Sequence, residues 1–452
     1  MKKHFFLIIF IALANLSFAQ TFFVDGIIED YPGQQIYLSG FYGDQKDIID
    51  STITDQNGHF EFELPKTLAS GQYRIMLNGR EFFDLILNKQ SLKLITAREN
   101  PIEDMAVMES EENKLYYDYL KLRNKTYYKL ELLRPLTKFY PPSEDFYEKI
   151  ILEFDETQSK LHDFIDSLKN HQAEKFTTGI ALLERRPAVN PFWNTFEEKV
   201  YMKANYFDEN DFSDTALLRS DAISGKIIGY LSLYQNQNLS KEQLESSFIQ
   251  AVDTILKYSK KEALIYEFTL DYLISGFEKY GFDRVIEHIA ENAILEESCE
   301  IEDRNSELHK RIETLKLLGT GKSAPDFETR DIYGKGVSLS DIDRDYKLLV
   351  FWASWCPHCT NMLPAVRDYY NKNSADLEVI AISIDSAKSD YMEFISAGDY
   401  NWINIADFTG WDNEIAALYG IYATPTLLLL DRDNRILGRP NSVREIKKIL
   451  GK

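Results

Sequence analysis

The hydrophobic period changes twice along the 452 residues, and each change restricts what the surrounding chain can become. From Thr21 to about Arg98, apolar and polar residues alternate, as in Gln35-Ile36-Tyr37-Leu38 and His59-Phe60-Glu61-Phe62-Glu63-Leu64. A period of two puts every second side chain on one face, which is the pattern of a half-buried strand. Asn57-Gly58 is a strong hairpin signal, and further strands are expected over residues 72–77 and 82–87. Residues 20–100 therefore predict a small antiparallel β-sandwich. Asp55-Gln56-Asn57-Gly58 has the opening of a calcium loop, but the run of ligands stops after one turn, so a tight turn is the better reading.

From about residue 103 to 318 the period becomes helical. Phe146, Ile150, Phe154, Leu161, Phe164 and Leu168 fall on one stripe, which needs another helix to pack against. Helices are predicted over residues 241–257, where Ser240 and Gln243 form a capping-box pattern, over 260–279 and over 304–318, with Gly319 as a stop. Residues 101–318 thus read as an α-helical domain. Its tyrosines, Tyr116, Tyr117, Tyr119, Tyr127 and Tyr128, either line a peptide groove or serve in core and rim packing, and packing is the commoner role.

Beyond Gly319-Thr320-Gly321-Lys322, strands and helices alternate. Strands are predicted at 347–352, 377–384, 426–430 and 435–437, and helices at 357–373, 389–396, 413–419 and 443–450. That order implies a mixed α/β sheet over residues 319–452.

The formal net charge of -21 argues against nucleic acid or an anionic membrane surface as the main partner, because nothing offsets phosphate repulsion. Lys2 and Lys3, the apolar run from Phe5 to Ala14 and the small residues Ser17 and Ala19 read as an export signal over residues 1–19, cut after Ala19. The run is shorter than the roughly 20 residues of a spanning helix. An uncleaved anchor is the alternative reading, and no cysteine follows the expected cut to carry a lipid. The mature protein is expected to be soluble in the periplasm or exported to the cell envelope, where a close cysteine pair can exist as a disulfide.

Such a pair occurs in Trp352-Ala353-Ser354-Trp355-Cys356-Pro357-His358-Cys359. A strand ending before Cys356 and a helix starting at Pro357 place Cys356 at a helix N-terminus, where free N–H groups and the dipole favour a thiolate. Proline suits the first helical position. One turn separates Cys356 from Cys359, about 5 Å between Cα atoms, inside the range a disulfide tolerates. His358 between them can add positive charge near Cys356 and lower its pKa further, while a structural histidine is the bland alternative. A zinc site needs a second ligand pair, and beyond this motif only Cys299 and scattered histidines remain, so no metal is expected. Ala423-Thr424-Pro425-Thr426 precedes another apolar strand, and a cis Thr424-Pro425 bond is one economical way to open a core strand with proline. Backbone groups of Thr424 would then be available to an extended substrate.

Together these segments resemble the thioredoxin superfamily, specifically the exported TlpA-like thiol-disulfide oxidoreductases. Ser323-Ala324-Pro325-Asp326-Phe327, Val337-Ser338-Leu339-Ser340-Asp341, Phe351 to Cys356 and Ala423 to Thr426 match that pattern in order. Residues 21–98 look like the small β-rich domain often fused upstream in such proteins. The resemblance implies that an exposed Cys356 is the attacking sulfur and that a buried Cys359 resolves the mixed disulfide. It further implies that Trp352 and Trp355 wall the site and that Pro425 is a cis proline facing the pair. It implies no cofactor beyond the redox-active Cys356–Cys359 disulfide, protein thiols or disulfides of the envelope as substrates, and a membrane electron-transfer partner.

Two departures stand out. Relatives often carry a buried carboxylate at the positions held here by Val350 and Met362, so Cys359 is expected to lack a dedicated base. TlpA-like proteins usually act as reductants, whereas Pro-His between the cysteines is the dipeptide of strongly oxidising DsbA-type enzymes, so the direction stays open. Two other readings compete. A peroxidase shares the Ala-Pro-Asp-Phe opening but normally has Thr or Ser three residues before its cysteine, where Ala353 stands. An envelope binding or scaffold protein needs no thiols in its thioredoxin-like part. Cys299, among Glu296, Glu297 and Glu300, reads as an unreactive thiol because neighbouring carboxylates raise its pKa, and an intermolecular disulfide is the sharper alternative.

Overall fold

The computed structural model describes residues 21–208, 212–293 and 304–451, so the expected export signal and Cys299 lie outside the described residues. Contacts divide the chain into two compact units, one ending at Leu233 and the other beginning at Tyr234.

The first unit begins with β1 (Thr21–Glu29), β2 (Gln35–Tyr42), β3 (Gln45–Ile53), β4 (His59–Pro65), β5 (Gly71–Met76), β6 (Phe82–Leu87), β7 (Leu92–Ala97) and β8 (Ala106–Glu109). Helices α1 (Glu111–Phe139), α2 (Asp145–His171), α3 (Phe176–Glu184), α4 (Thr195–Asn205) and α5 (Ala222–Ser232) follow. The strands form two sheets, ordered β4-β1-β7-β8 and β3-β2-β5-β6. Alternation becomes burial as expected: Phe60, Phe62 and Leu64 of β4 point inward while Glu61 and Glu63 are exposed. At the turn before β4, Gly58 has φ +76°, and a Cβ there would meet the Ile28 carbonyl oxygen at 2.0 Å. Only glycine fits. The Asp55 carboxylate accepts the amides of Asn57 (2.7 Å) and His59 (2.9 Å), so it closes the turn.

The expectation of purely antiparallel strands is corrected, because β1 runs parallel to β7. β7 arrives from β6 in the other sheet, so no hairpin forces it to reverse beside β1. In the helices, Ile150, Phe154, Leu161 and Leu168 are buried as the stripe predicts, while Phe146 at the start of α2 is exposed. Tyr116, Tyr117 and Tyr119 are buried, which removes them from any groove. Tyr117 donates to the Asp84 carbonyl (2.7 Å) and Tyr119 to the Glu184 carboxylate (2.7 Å). Asn113 of α1 bonds both the N–H (2.8 Å) and the carbonyl (2.7 Å) of Ile86, extending the edge strand β6 with a helix side chain.

The second unit comprises α6 (Lys241–Ser259), α7 (Ala263–Tyr280), α8 (Asp283–Asn292) and α9 (Arg304–Leu317), then β9 (Glu328–Arg330), β10 (Gly336–Ser338), β11 (Tyr346–Trp352), α10 (Pro357–Asn373), β12 (Leu377–Ser383), α11 (Lys388–Ala397), β13 (Ile403–Ala406), α12 (Glu414–Leu418), β14 (Thr426–Asp431), β15 (Ile436–Gly438) and α13 (Val443–Ile449). The predicted capping box opens α6. The helical stretch is thus shared between the units. α6 and α8 attach to the α/β part through polar contacts, including Lys241 to Glu445 (3.4 Å) and the Thr320 amide to Glu287 (2.7 Å). The central sheet has the order β13-β12-β11-β14-β15, with β11 parallel to β12 and antiparallel to β14. Leu348 to Trp352 are fully buried, which is why β11 reads as a continuous apolar run. Among the described residues no helix is long and apolar enough to cross a membrane.

Candidate active site

The site forms where β11 leaves the sheet. The last ladder bond runs from the Ile384 amide to the Trp352 carbonyl (2.9 Å), and beyond it the chain must turn into α10. The Cys356 amide donates to the Ala353 carbonyl (3.2 Å), closing that turn. Cys356 is the N-cap of α10 with φ -87° and ψ 112°, and Pro357 occupies the first turn, where its missing N–H costs nothing. The next free amides, those of His358 and Cys359, face the Cys356 sulfur.

Both thiols are free, and Cys359 is completely buried. Cys356 is only 6 % exposed, which corrects the expectation of an exposed sulfur. The loop at Thr424 covers it: the Cys356 thiol donates to the Thr424 carbonyl at 3.4 Å. The Thr424–Pro425 bond of that loop is cis. Trp355, next to Cys356 in the chain, is exposed.

The two thiols differ in acidity. For Cys356, burial opposes ionisation, but hydrogen bonds from the Cys359 thiol, the Cys359 amide, the Thr424 side chain and the His358 amide outweigh it and hold the group below the usual thiol range. For Cys359, burial is the largest effect and the hydrogen bond to Cys356 adds to it, pushing it up to about 12. One sulfur is ready to attack while the other keeps the proton. His358 is exposed, and what it gives Cys356 here is its backbone N–H.

Trp352 is fully buried against Tyr391 (5.6 Å between ring centroids) and Phe394 (5.1 Å), so it belongs to the core. Trp355 is exposed, and its partner on the surface is Trp411 at 6.5 Å, a residue that the motifs did not single out. Val350 lies fully buried in β11 and Met362 half-buried in α10, where no carboxylate stands. A buried carboxylate does lie nearby, at Asp385 just past β12, where it accepts the Ser354 amide (3.0 and 3.1 Å) and hydroxyl (2.6 Å). The two leading motifs also meet. Asp326 accepts the Ser340 amide (3.1 Å), and Tyr419 donates to the Pro325 carbonyl (2.5 Å). Among the described residues no group of three or more His, Cys, Asp or Glu side chains is placed to hold a metal.

A mixed sheet with a cysteine pair at the start of a helix and a cis proline loop over it defines a thioredoxin-like domain. Residues 320–438 match the AhpC/TSA family model. The thiol-disulfide oxidoreductase ResA of Bacillus thuringiensis subsp. konkukian (strain 97-27) is 30% identical over 118 residues, covering 26% of this chain and 66% of that protein. This chain thus spans just under two thirds of that relative. Among solved structures, a thiol-disulfide oxidoreductase from Bacteroides fragilis NCTC 9343 is 33% identical, with 28% of this chain and 99% of that one covered and a TM-score of 0.26. The C-terminal domain of a putative thiol-disulfide oxidoreductase from Bacteroides thetaiotaomicron is 28% identical, covering 30% of this chain and 95% of that one, with a TM-score of 0.28.

Proposed function

We propose that this chain is an exported thiol-disulfide oxidoreductase acting on protein thiols and disulfides through Cys356 and Cys359. The observation that carries the reading is the split acidity of two adjacent free thiols at a helix start. In the reducing direction the Cys356 thiolate attacks a substrate disulfide. A mixed disulfide forms, and the departing substrate sulfur takes up a proton. Cys359 then loses its proton and attacks the Cys356 sulfur, releasing the second substrate thiol and leaving the Cys356–Cys359 disulfide. Two electrons have passed to the substrate. The oxidising direction runs the same steps backwards, and the potential of the pair decides which prevails.

Trp355, Pro357, His358, Thr424 and Pro425 frame the attacking sulfur in this reading. No other cofactor is required, and a membrane electron-transfer partner in the envelope would reset the pair. The two N-terminal sheets are read as a small sandwich fused to this machinery. The test is insulin disulfide reduction by the full chain. Activity in the wild type that disappears in Cys356→Ser supports the proposal, and equal turbidity traces for both reject it in favour of a binding or scaffold role. A glutathione titration of the same protein gives the direction.

A further inference from the structure

We propose that Asp385 is a positioning residue for the redox pair, holding through Ser354 the turn that aims the α10 amides at the Cys356 sulfur; this rests on the oxidoreductase reading above. β11 and β12 run parallel, and their ladder ends with the Ile384 amide on the Trp352 carbonyl. From there β11 departs, and the Ser354 amide has no strand to pair with. A buried amide without an acceptor is costly. The Asp385 side chain takes the place of the strand: both carboxylate oxygens lie within reach of the Ser354 amide, at 3.1 and 3.0 Å, and one also accepts the Ser354 hydroxyl at 2.6 Å. Asp385 is fully buried and is itself fixed by Ser383, whose hydroxyl donates to it (2.7 Å) and accepts its amide (3.0 Å).

Three donors thus converge on one acid. A carboxylate is all acceptor and satisfies them together, whereas an asparagine would turn an NH2 group toward at least one of them. Ser354 sits between Ala353, whose carbonyl receives the Cys356 amide, and the N-cap itself. Its position fixes where the first turn of α10 starts, and with it the direction of the His358 and Cys359 amides that favour the Cys356 thiolate.

This role and a bare charge effect have opposite signs. Removing a nearby negative charge by itself makes Cys356 more acidic, whereas releasing the turn takes hydrogen bonds away from its sulfur and makes it less acidic. The experiment is the pH dependence of iodoacetamide labelling at Cys356, resolved by peptide mass spectrometry, in the full-length wild type, Asp385→Asn and Ser354→Ala, with circular dichroism melts alongside. The expected result is a midpoint moved to higher pH, with the thiolate fraction near neutrality falling about tenfold in Asp385→Asn. Ser354→Ala, which changes no charge, should lose about threefold. An unchanged midpoint, or one moved to lower pH, in folded variants overturns the proposal. If Asp385→Asn does not fold, Ser354→Ala decides alone. Failure of the functional reading is distinguishable, because it shows as absent insulin reduction in the wild type, which the labelling comparison does not use.

Discussion

The Arg74 and Arg123 ion pairs of the first unit and the Cys356 thiolate of the second hold charge in different ways. In the first, Arg74 meets Asp84 through two bonds (2.6 and 2.8 Å) while Gln72 also donates to Asp84 (3.0 Å), and Arg123 meets Glu184 (2.5 Å). Each charge has an opposite partner. In the second, the leading groups that favour the Cys356 thiolate are a neighbouring thiol, two backbone amides and the Thr424 side chain. Paired ions resist change, because taking away either partner strands the other. A charge held by dipoles can be discharged by forming a bond to sulfur. The contrast is between a site built for stability and one built for turnover.

The largest effect that tests this contrast is on turnover. Cys356→Ser should abolish disulfide exchange while leaving the denaturant unfolding curve in place, since serine keeps the shape of the N-cap. A large drop in stability would show that the thiol is structural. Next is the reverse experiment in the first unit. Arg74→Met leaves the half-buried Asp84 without its cationic partner and should cost about 3 kcal/mol of that unit's stability in urea unfolding. Labelling of Cys356 in the same variant should be unaffected. A smaller effect is expected from Met362→Glu, which supplies an acid beside the resolving thiol; stopped-flow release of substrate from the mixed disulfide should accelerate roughly tenfold. An unchanged rate would mean that Cys359 already has a proton acceptor.

The smallest effect concerns pH. Desolvation by the surrounding protein, followed by the charges of Asp84 and Glu184, pushes Asp221 up to about 6 against the pull of Arg74, even though 43 % of its side chain stays exposed and solvent screening trims the effect. Folded protein therefore keeps a proton that the unfolded chain releases near the ordinary aspartate value of about 3.9. The sign follows: this contribution is complete below about 3.9 and is lost as pH rises toward about 6. Asp221→Asn should flatten the stability profile of the first unit across that window, read by thermal melts at several pH values. A steeper profile in the variant would reverse the assignment.

Legibility in the sequence followed distance along the chain. The thiol pair, its helix and the proline loop are short runs whose residues act on their immediate neighbours, so spacing alone located them. The capping box of α6 was readable for the same reason. Asp385 was not, because its partner Ser354 lies 31 residues away and an acid after a strand resembles any loop acid. The one local signal was Ser383 and Asp385 breaking the apolar run of β12. The parallel pairing of β1 with β7 is likewise a long-range choice that alternation cannot encode. Burial of Cys356 depends on Thr424, 68 residues on, and escaped a reading confined to the motif. Tyr116, Tyr117 and Tyr119 took the packing role of the two that the sequence left open, with the hydroxyls of Tyr117 and Tyr119 bonded inside the unit. β13, four residues long, is too short for its period to stand out.

Cys356 ionises readily while Cys359 does not, and site-resolved alkylation of the reduced wild-type chain between pH 4 and pH 10 reads that difference sulfur by sulfur. The prediction is labelling of Cys356 with a midpoint below that of an ordinary thiol, with Cys359 unlabelled across the range. Equal midpoints for the two sulfurs, or earlier labelling of Cys359, would contradict it.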